Sequence, residues 1–417
     1  MFLTEKAASM SGTVFASLKH RDFRIFWIGQ CVSLMGTWMQ RTALVWLVYT
    51  ITNSPFKVGL VGVAQYLPIL LFTLFSGAIV DRFSKRRLLI VTQSLLMLQA
   101  LALALLTFFH CEQYWLLLLL CTALGLTTTV DMPARLSFFM DLVGKEDIMN
   151  AVSLNSTIVN LARIIGPAAA GIVMELGGAS VCFFINAVSF LAVIFSLTRI
   201  KTVEKPSFPR TQNVVADVKE GLDYIRGSET LVINVIFLAV LCTFAMNSDV
   251  IIPVFARTVL GMGAGAYTRL LSAVGLGSLI GAVVMAGLAR YGVRKWFLPA
   301  AAAGETIILI AMGLCRSYGL VLVMVTLLGI LNLMFLNSGN SIFQLYAPEK
   351  YRGRVMSVYA LITVGSTTFG NFYAGVVMQA FGGWAGWPFC GIAAGLSLWL
   401  LLRKKRAVLE SWFKQSA

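Results

Sequence analysis

Charge is scarce in this 417-residue chain. Asp, Glu, Lys and Arg together make up 12% of it, against roughly 25% in soluble domains, while 58% is hydrophobic. With a mean hydropathy of +0.83 and no polar stretch long enough to fold in water, the chain reads as a polytopic membrane protein. Histidine is almost absent. His20 and His110 both fall outside the predicted spans, which excludes a histidine proton relay. The seven cysteines show no Cys-x-x-Cys and no ligand spacing; Cys31, Cys121, Cys182, Cys242, Cys315 and Cys390 sit in apolar runs as small packing residues. There is no Walker lysine, zinc spacing, nucleophile elbow, paired Asp or Ser–Lys constellation, so neither an enzyme nor a metal or cofactor is expected. Gly275-Leu276-Gly277-Ser278-Leu279-Ile280-Gly281 imitates a dinucleotide fingerprint. It lies within an apolar helix with no preceding strand, and reads as close helix packing. The polar, mixed N-terminus gives no expectation of a cleaved signal peptide.

What the chain has in quantity is long apolar runs. Val58–Val80 and Leu88–Phe109 are each long enough to span a bilayer, and between them lies Gly77-Ala78-Ile79-Val80-Asp81-Arg82-Phe83-Ser84-Lys85-Arg86-Arg87. So short and basic a loop stays cytoplasmic. The lone acid among the bases, Asp81, is expected to clamp the inner side of the bundle near Arg352–Val355. Continuing along the chain predicts about twelve spans of roughly 20 residues. In order they run about Phe23–Thr50, the two already given, Trp115–Val130, Ala151–Met174, Val181–Leu197, Leu231–Val254, Leu270–Ala289, Trp296–Leu314, Leu320–Ser341, Val355–Phe381 and Trp387–Leu402.

The expected organisation is a cytoplasmic segment 1–22, a six-helix bundle 23–198, a cytoplasmic linker 199–229, a second six-helix bundle 230–402 and a cytoplasmic tail 403–417. The linker carries Pro206 and Pro209 and ends in a short amphipathic helix, Val214–Ile225. Of 33 Lys and Arg, only Lys57, Arg257, Arg269 and Arg316 fall on the outer side and only Arg41 and Arg163 within spans. That asymmetry places both termini in the cytoplasm and explains the net charge of +15 without nucleic acid.

Polar side chains recur at helical spacing on several spans, as expected for faces turned to a bundle interior or watery cavity. The cavity-lining candidates are Gln30, Thr37, Arg41, Asn160, Arg163, Asn247, Asn337, Gln344 and Thr367; Ser156, Asn160 and Arg163 read as one buried stripe. Arg41 and Arg163 suit either an anionic cargo group or the neutralisation of a carboxylate. Three intramembrane carboxylates are proton-coupling candidates: Glu305, Asp249 and Asp131. Each costs roughly 2.5–3.5 kcal/mol to insert, so each needs a use or a partner. Only Glu305 lies deep enough for desolvation to bring its protonation into the working range, although a neutral, hydrogen-bonded structural role fits it equally. Asp249 reads as a solvated rim near the outer end of its span, and Asp131 as a partner of Arg135 or a loop base.

The halves repeat. Gly166-Pro167-Ala168-Ala169-Ala170-Gly171 aligns with Gly370-Asn371-Phe372-Tyr373-Ala374-Gly375, and in that register Asn150-Ala151-Val152-Ser153-Leu154 aligns with Arg354-Val355-Met356-Ser357-Val358. Arg290-Tyr291-Gly292-Val293-Arg294-Lys295 echoes the first basic loop, with Ala289 where Asp81 would stand. Gly77, Asp81, Arg82 and Arg86 of that loop, the repeat, the linker and the span count resemble the major facilitator superfamily across essentially the whole chain. Gly166-Pro167 resembles its antiporter element. Asp131-x-Pro133-x-Arg135, Asn150-Ala151 through Asn155 and Arg352-Gly353-Arg354-Val355-Met356-Ser357 resemble the bacterial branch of enterobactin exporters and macrolide efflux proteins. Ser84 departs from the usual glycine, and Asn371 replaces the proline in the second half.

The resemblance implies an all-α membrane protein of two pseudo-symmetric six-helix bundles in the bacterial inner membrane. It further implies a monomer that exports a small amphipathic molecule, such as a siderophore or drug, against protons by alternating access. A lysophospholipid flippase or metal-ion exporter of the same fold is the alternative. A non-transporting scaffold or sensor would not need polar stripes on several helices.

Overall fold

The computed structural model describes residues 15–201, 214–288 and 295–414. The second-half echo at 289–294 and the prolines of the linker lie outside the described residues. Described regular structure is entirely helical. Helix α1 runs Arg21–Thr52, α2 Pro55–Arg82 and α3 Lys85–Phe108. Asn53, at a φ of 46°, makes the tight turn between α1 and α2, and Pro55 opens α2 where its missing N–H costs nothing. Ser84 explains its own departure from glycine. Its φ is −57°, so no glycine is required, and its hydroxyl caps α3 by accepting from the Arg87 N–H at 3.3 Å.

Tyr114–Arg199, 86 residues, would reach about 130 Å if straight, some four bilayer cores. Glycines in the left-handed region divide it, Gly144 at φ 73° and Gly178 at φ 78°. The resulting helices are α4 (114–143), α5 (145–177) and α6 (179–199). The second half gives α7 Val214–Arg226, α8 Glu229–Phe244, α9 Ser248–Thr258, α10 Ala264–Leu288, α11 Phe297–Met312, α12 Tyr318–Tyr346, α13 Glu349–Phe381 and α14 Gly386–Lys414. Seven stretches are long and apolar enough to cross a membrane. One of them is the α4–α6 stretch, which supplies three crossings. Adding the more polar α1 and α13 and the shorter α11 gives the expected twelve.

One expected helix is different. The seventh span is not a continuous Leu231–Val254 but α8 and α9, interrupted at Ala245–Asn247. No proline or glycine stands at the interruption; the Asn247 side chain donates to the Thr243 carbonyl at 2.7 Å, and a crossing helix packs against the break. Gly370 on α13 lies against the Thr243 carbonyl and the Asn247 side chain so closely that any added carbon would overlap both. The Asn247 carbonyl accepts from the N–H groups of Val250 and Ile251 at 3.1 and 3.0 Å, starting α9 afresh.

The contacts divide the chain into two compact units, Met1–Ala43 with Phe72–Thr211, and Leu44–Leu71 with Gln212–Ala417. In the first, Phe23, Phe26, Phe138 and Phe139 form a buried aromatic cluster, with edge-on ring contacts at 5.5–6.0 Å. In the second, the glycine tract of α10 does pack closely: a side chain at Gly281 would come within 2.7 Å of the Ile330 carbonyl on α12. Asn371 fills a crossing in the same unit, its carbonyl 2.6 Å from where a Gly59 side chain would begin. The amphipathic helix α7 docks on the start of α13. Glu220 pairs with Arg354 at 2.6 Å, Tyr224 stacks on Tyr351 at 4.9 Å, and the Tyr224 hydroxyl donates to the Tyr346 carbonyl at 3.1 Å. All seven cysteines are free thiols, and Cys111 alone is exposed.

Candidate substrate and coupling sites

In the first unit, Trp38 is where the polar face of α1 meets α5. Arg41 follows it by three residues, on the same helical face, and its guanidinium lies over the Trp38 ring, 5.2 Å from the centroid. Arg163 reaches the same ring from α5 at 5.2 Å. Gly166 makes this possible, because a side chain there would begin 2.5 Å from the Trp38 Cβ. The Gly166-Pro167 element thus has a local physical task, bringing the α5 backbone onto an indole. The two arginines and the tryptophan are half-buried. Trp38 was not among the sequence candidates because it counts there as one apolar residue among many; its spacing to Arg41 was the available signal.

The other candidates of this unit scatter. Gln30 is only 1% exposed and its amide atoms have no hydrogen-bond partner among the described residues, so it is enclosed in the bundle rather than lining a cavity. Thr37 donates to the Ser33 carbonyl at 2.9 Å and Asn160 to the Ser156 carbonyl at 3.0 Å. Ser156 is exposed and Asn160 half-buried, which corrects the buried stripe expected there. A network the sequence did not reveal joins three helices: Gln40 donates to Gln99 at 3.0 Å and accepts from Asn186 at 2.8 Å.

Asp131 is 2% exposed and fully engaged. One oxygen accepts from Thr92 and from Gln93, each at 2.7 Å, and the other pairs with Arg135 one turn along. A second nearly buried pair, Lys85–Asp141 at 2.7 Å, ties the basic loop to α4. Arg86 closes the end of α6 by donating to the carbonyls of Leu197 at 2.6 Å and Thr198 at 3.0 Å. Gly77 and Arg82 are exposed, Asp81 is half-buried, and nothing would meet a side chain at Gly77. Beyond the membrane core, His20 meets Asp147 at 2.8 Å.

In the second unit, Glu305 on α11 is 0% exposed. The Asn332 side chain on α12 stands within hydrogen-bonding reach of its carboxyl group, and Cys242 on α8 lies close by. Asn247 is 0% exposed and donates to the Thr243 carbonyl at 2.7 Å, while its own oxygen has no partner among the described residues, so it belongs to the helix interruption and not to a cavity wall. Asp249 is half-buried in the first turn of α9, at the positive end of a new helix rather than at the outer end of an old one. Asn337 and Gln344 on α12 are exposed, and Thr367 on α13 is half-buried with its hydroxyl donating to Thr363. Among the described residues, no three His, Cys, Asp or Glu gather as metal ligands. An open groove lined by Leu105, Phe109, Leu116 and Leu119 is almost wholly carbon and suits lipid contact.

The family described as transmembrane secretion effector matches residues 12–411. The staphyloferrin A transporter of Staphylococcus aureus is 23% identical over 86% of this chain and 90% of its own. The multidrug efflux pump Tap of Mycolicibacterium fortuitum is 24% identical over 83% and 87%, and the enterobactin exporter EntS of Shigella boydii 22% identical over 84% of each. Among solved structures, the nucleoside transporter NupG superposes with a TM-score of 0.71 at 13% identity, covering 94% of this chain and 99% of that one. A POT peptide transporter gives 0.73 at 15%, covering 94% and 95%. These likenesses carry the fold.

Proposed function

We propose that this chain, which belongs to the transmembrane secretion effector family of major facilitator transporters, is a proton-coupled exporter of a small amphipathic molecule, working by alternating access. Transport through a multi-pass membrane fold is the family's activity; direction, coupling ion and cargo are the further reading. The observation that carries it is the pairing of polar equipment across the repeat. The first unit presents two guanidiniums on one indole, and the second encloses the carboxyl group of Glu305 away from solvent. An exporter driven by protons needs one group that engages cargo and another that exchanges a proton, and burial of a carboxyl group within a span is costly unless it has a use or a partner.

The protein would sit in the bacterial inner membrane as a monomer with both termini inside. Orientation is checked on the native thiol. A membrane-impermeant maleimide is expected to label Cys111 in intact spheroplasts, with the signal lost in Cys111→Ser; labelling only after permeabilisation would invert the topology. Function is tested by comparing the growth medium of deletion and overexpressing cells by untargeted metabolomics. Each enriched compound is then offered to purified protein in liposomes under an imposed pH gradient. Gradient-dependent movement of at least one compound is expected, and movement of none would overturn the exporter reading.

A further inference from the structure

Two guanidiniums within membrane depth meet at one ring. The guanidinium carbons of Arg41 and Arg163 each lie 5.2 Å from the centroid of Trp38, so they stand no more than about 10 Å apart. A cation over the face of a tryptophan gains about 0.5–2 kcal/mol, so the indole helps to hold each guanidinium in place. Both arginines also make further contacts, so an incoming group competes for them.

We propose that Trp38, Arg41 and Arg163 form a recognition centre for planar oxyanions, carboxylates above all, and that the exported cargo is an anionic, carboxylate-bearing small molecule. This rests on the exporter reading and narrows its substrate class. Guanidinium presents a flat fork of donors that matches a carboxylate in a two-bond geometry, which an ammonium does not. Trp38 acts as a positioning residue: its ring holds both forks, and the absence of a side chain at Gly166 holds the ring's helix against α5. An anion with two carboxylates engages both forks. A cationic drug offers them no acceptor of matching geometry and is disfavoured.

The probe is benzene-1,3-dicarboxylate, compared with its uncharged dimethyl ester and with ethidium, on full-length protein in lipid nanodiscs. The acid is expected to bind at least tenfold more tightly than the ester. Arg41→Gln and Arg163→Gln should each weaken acid binding tenfold or more, a loss of about 1.4 kcal/mol, without weakening ethidium. Arg163→Lys should recover only part of the loss, since it restores charge but not the fork. Trp38→Leu should weaken the acid and Trp38→Phe retain more of it. Equal binding of acid and ester by wild-type protein, which needs no variant to fold, would overturn the proposal. So would no measurable binding of the acid, or full acid affinity in folded Arg→Gln variants. If the acid binds through the arginines while liposomes move no compound, the exporter reading fails and the anion centre stands. If liposomes export while acid and ester bind alike, the anion centre fails alone.

Discussion

Vesicles carrying Glu305→Gln are expected to lose pH-driven accumulation of cargo while retaining exchange of labelled for unlabelled cargo. The substitution keeps size and polarity but removes the carboxyl group proposed to take up and release a proton. Its setting favours this outcome over a structural one. The carboxyl is 0% exposed, and Asn332 is the side chain within hydrogen-bonding reach of it, a contact that a glutamine amide can also make. A glutamine there should fold as well as the native residue, with Asn332 near enough to meet the new amide. Exchange that runs without net proton movement needs only the cargo site and the conformational cycle, and both survive. A substantial cargo gradient built by Glu305→Gln vesicles from an imposed pH gradient would make Glu305 structural. Asp249 would then be the next carboxyl to test.

Asp131→Ala is expected to produce the largest loss of stability of any single polar substitution in the first unit. The carboxylate gathers Thr92, Gln93 and Arg135 at a site 2% exposed to solvent. Removing it strands a charge and two donors. Breaking a buried pair in this way costs about 3–5 kcal/mol. Thermal unfolding of purified protein should show a fall of many degrees and a poor yield of folded material. Asp131→Asn, which keeps an acceptor for Thr92 and Gln93, should lose less and still transport. A melting temperature within a degree of wild type for Asp131→Ala would show that the network holds nothing. A well-folded Asp131→Asn that no longer responds to a pH gradient would return Asp131 to the proton-coupling candidates.

The architecture was legible because hydrocarbon leaves so little choice. Apolar runs of the right length become spanning helices, and the basic loop after Val80 marks one side. The Asp131–Arg135 pair was legible too, since four residues on a helix place two side chains together. What escaped the sequence depends on residues far apart in it. Lys85 and Asp141 meet because α3 and α4 pack, and no local spacing announces it. The interruption between α8 and α9 falls in Ala245-Met246-Asn247, which contains neither proline nor glycine. The glycine packed against it, Gly370, lies more than a hundred residues away. Gln30 fits the polar stripe in spacing, yet the packed bundle encloses it. A helical period identifies a face; the neighbours determine whether that face reaches water.

The interruption at Asn247 also has a mechanical meaning. A continuous helix must break backbone hydrogen bonds to bend, whereas here the ladder of α8 ends at Ala245 and restarts from the Asn247 carbonyl. Helix α9, 11 residues and about 16 Å long, is therefore a short lever on a ready-made hinge. A rotation of about 10° at the hinge carries its Thr258 end by about 3 Å. The clearance beside that lever is set by glycines: Gly383 abuts Thr258, and Gly386 abuts Ile251. Side chains at either position would jam the swing by filling its path, leaving the hinge itself intact.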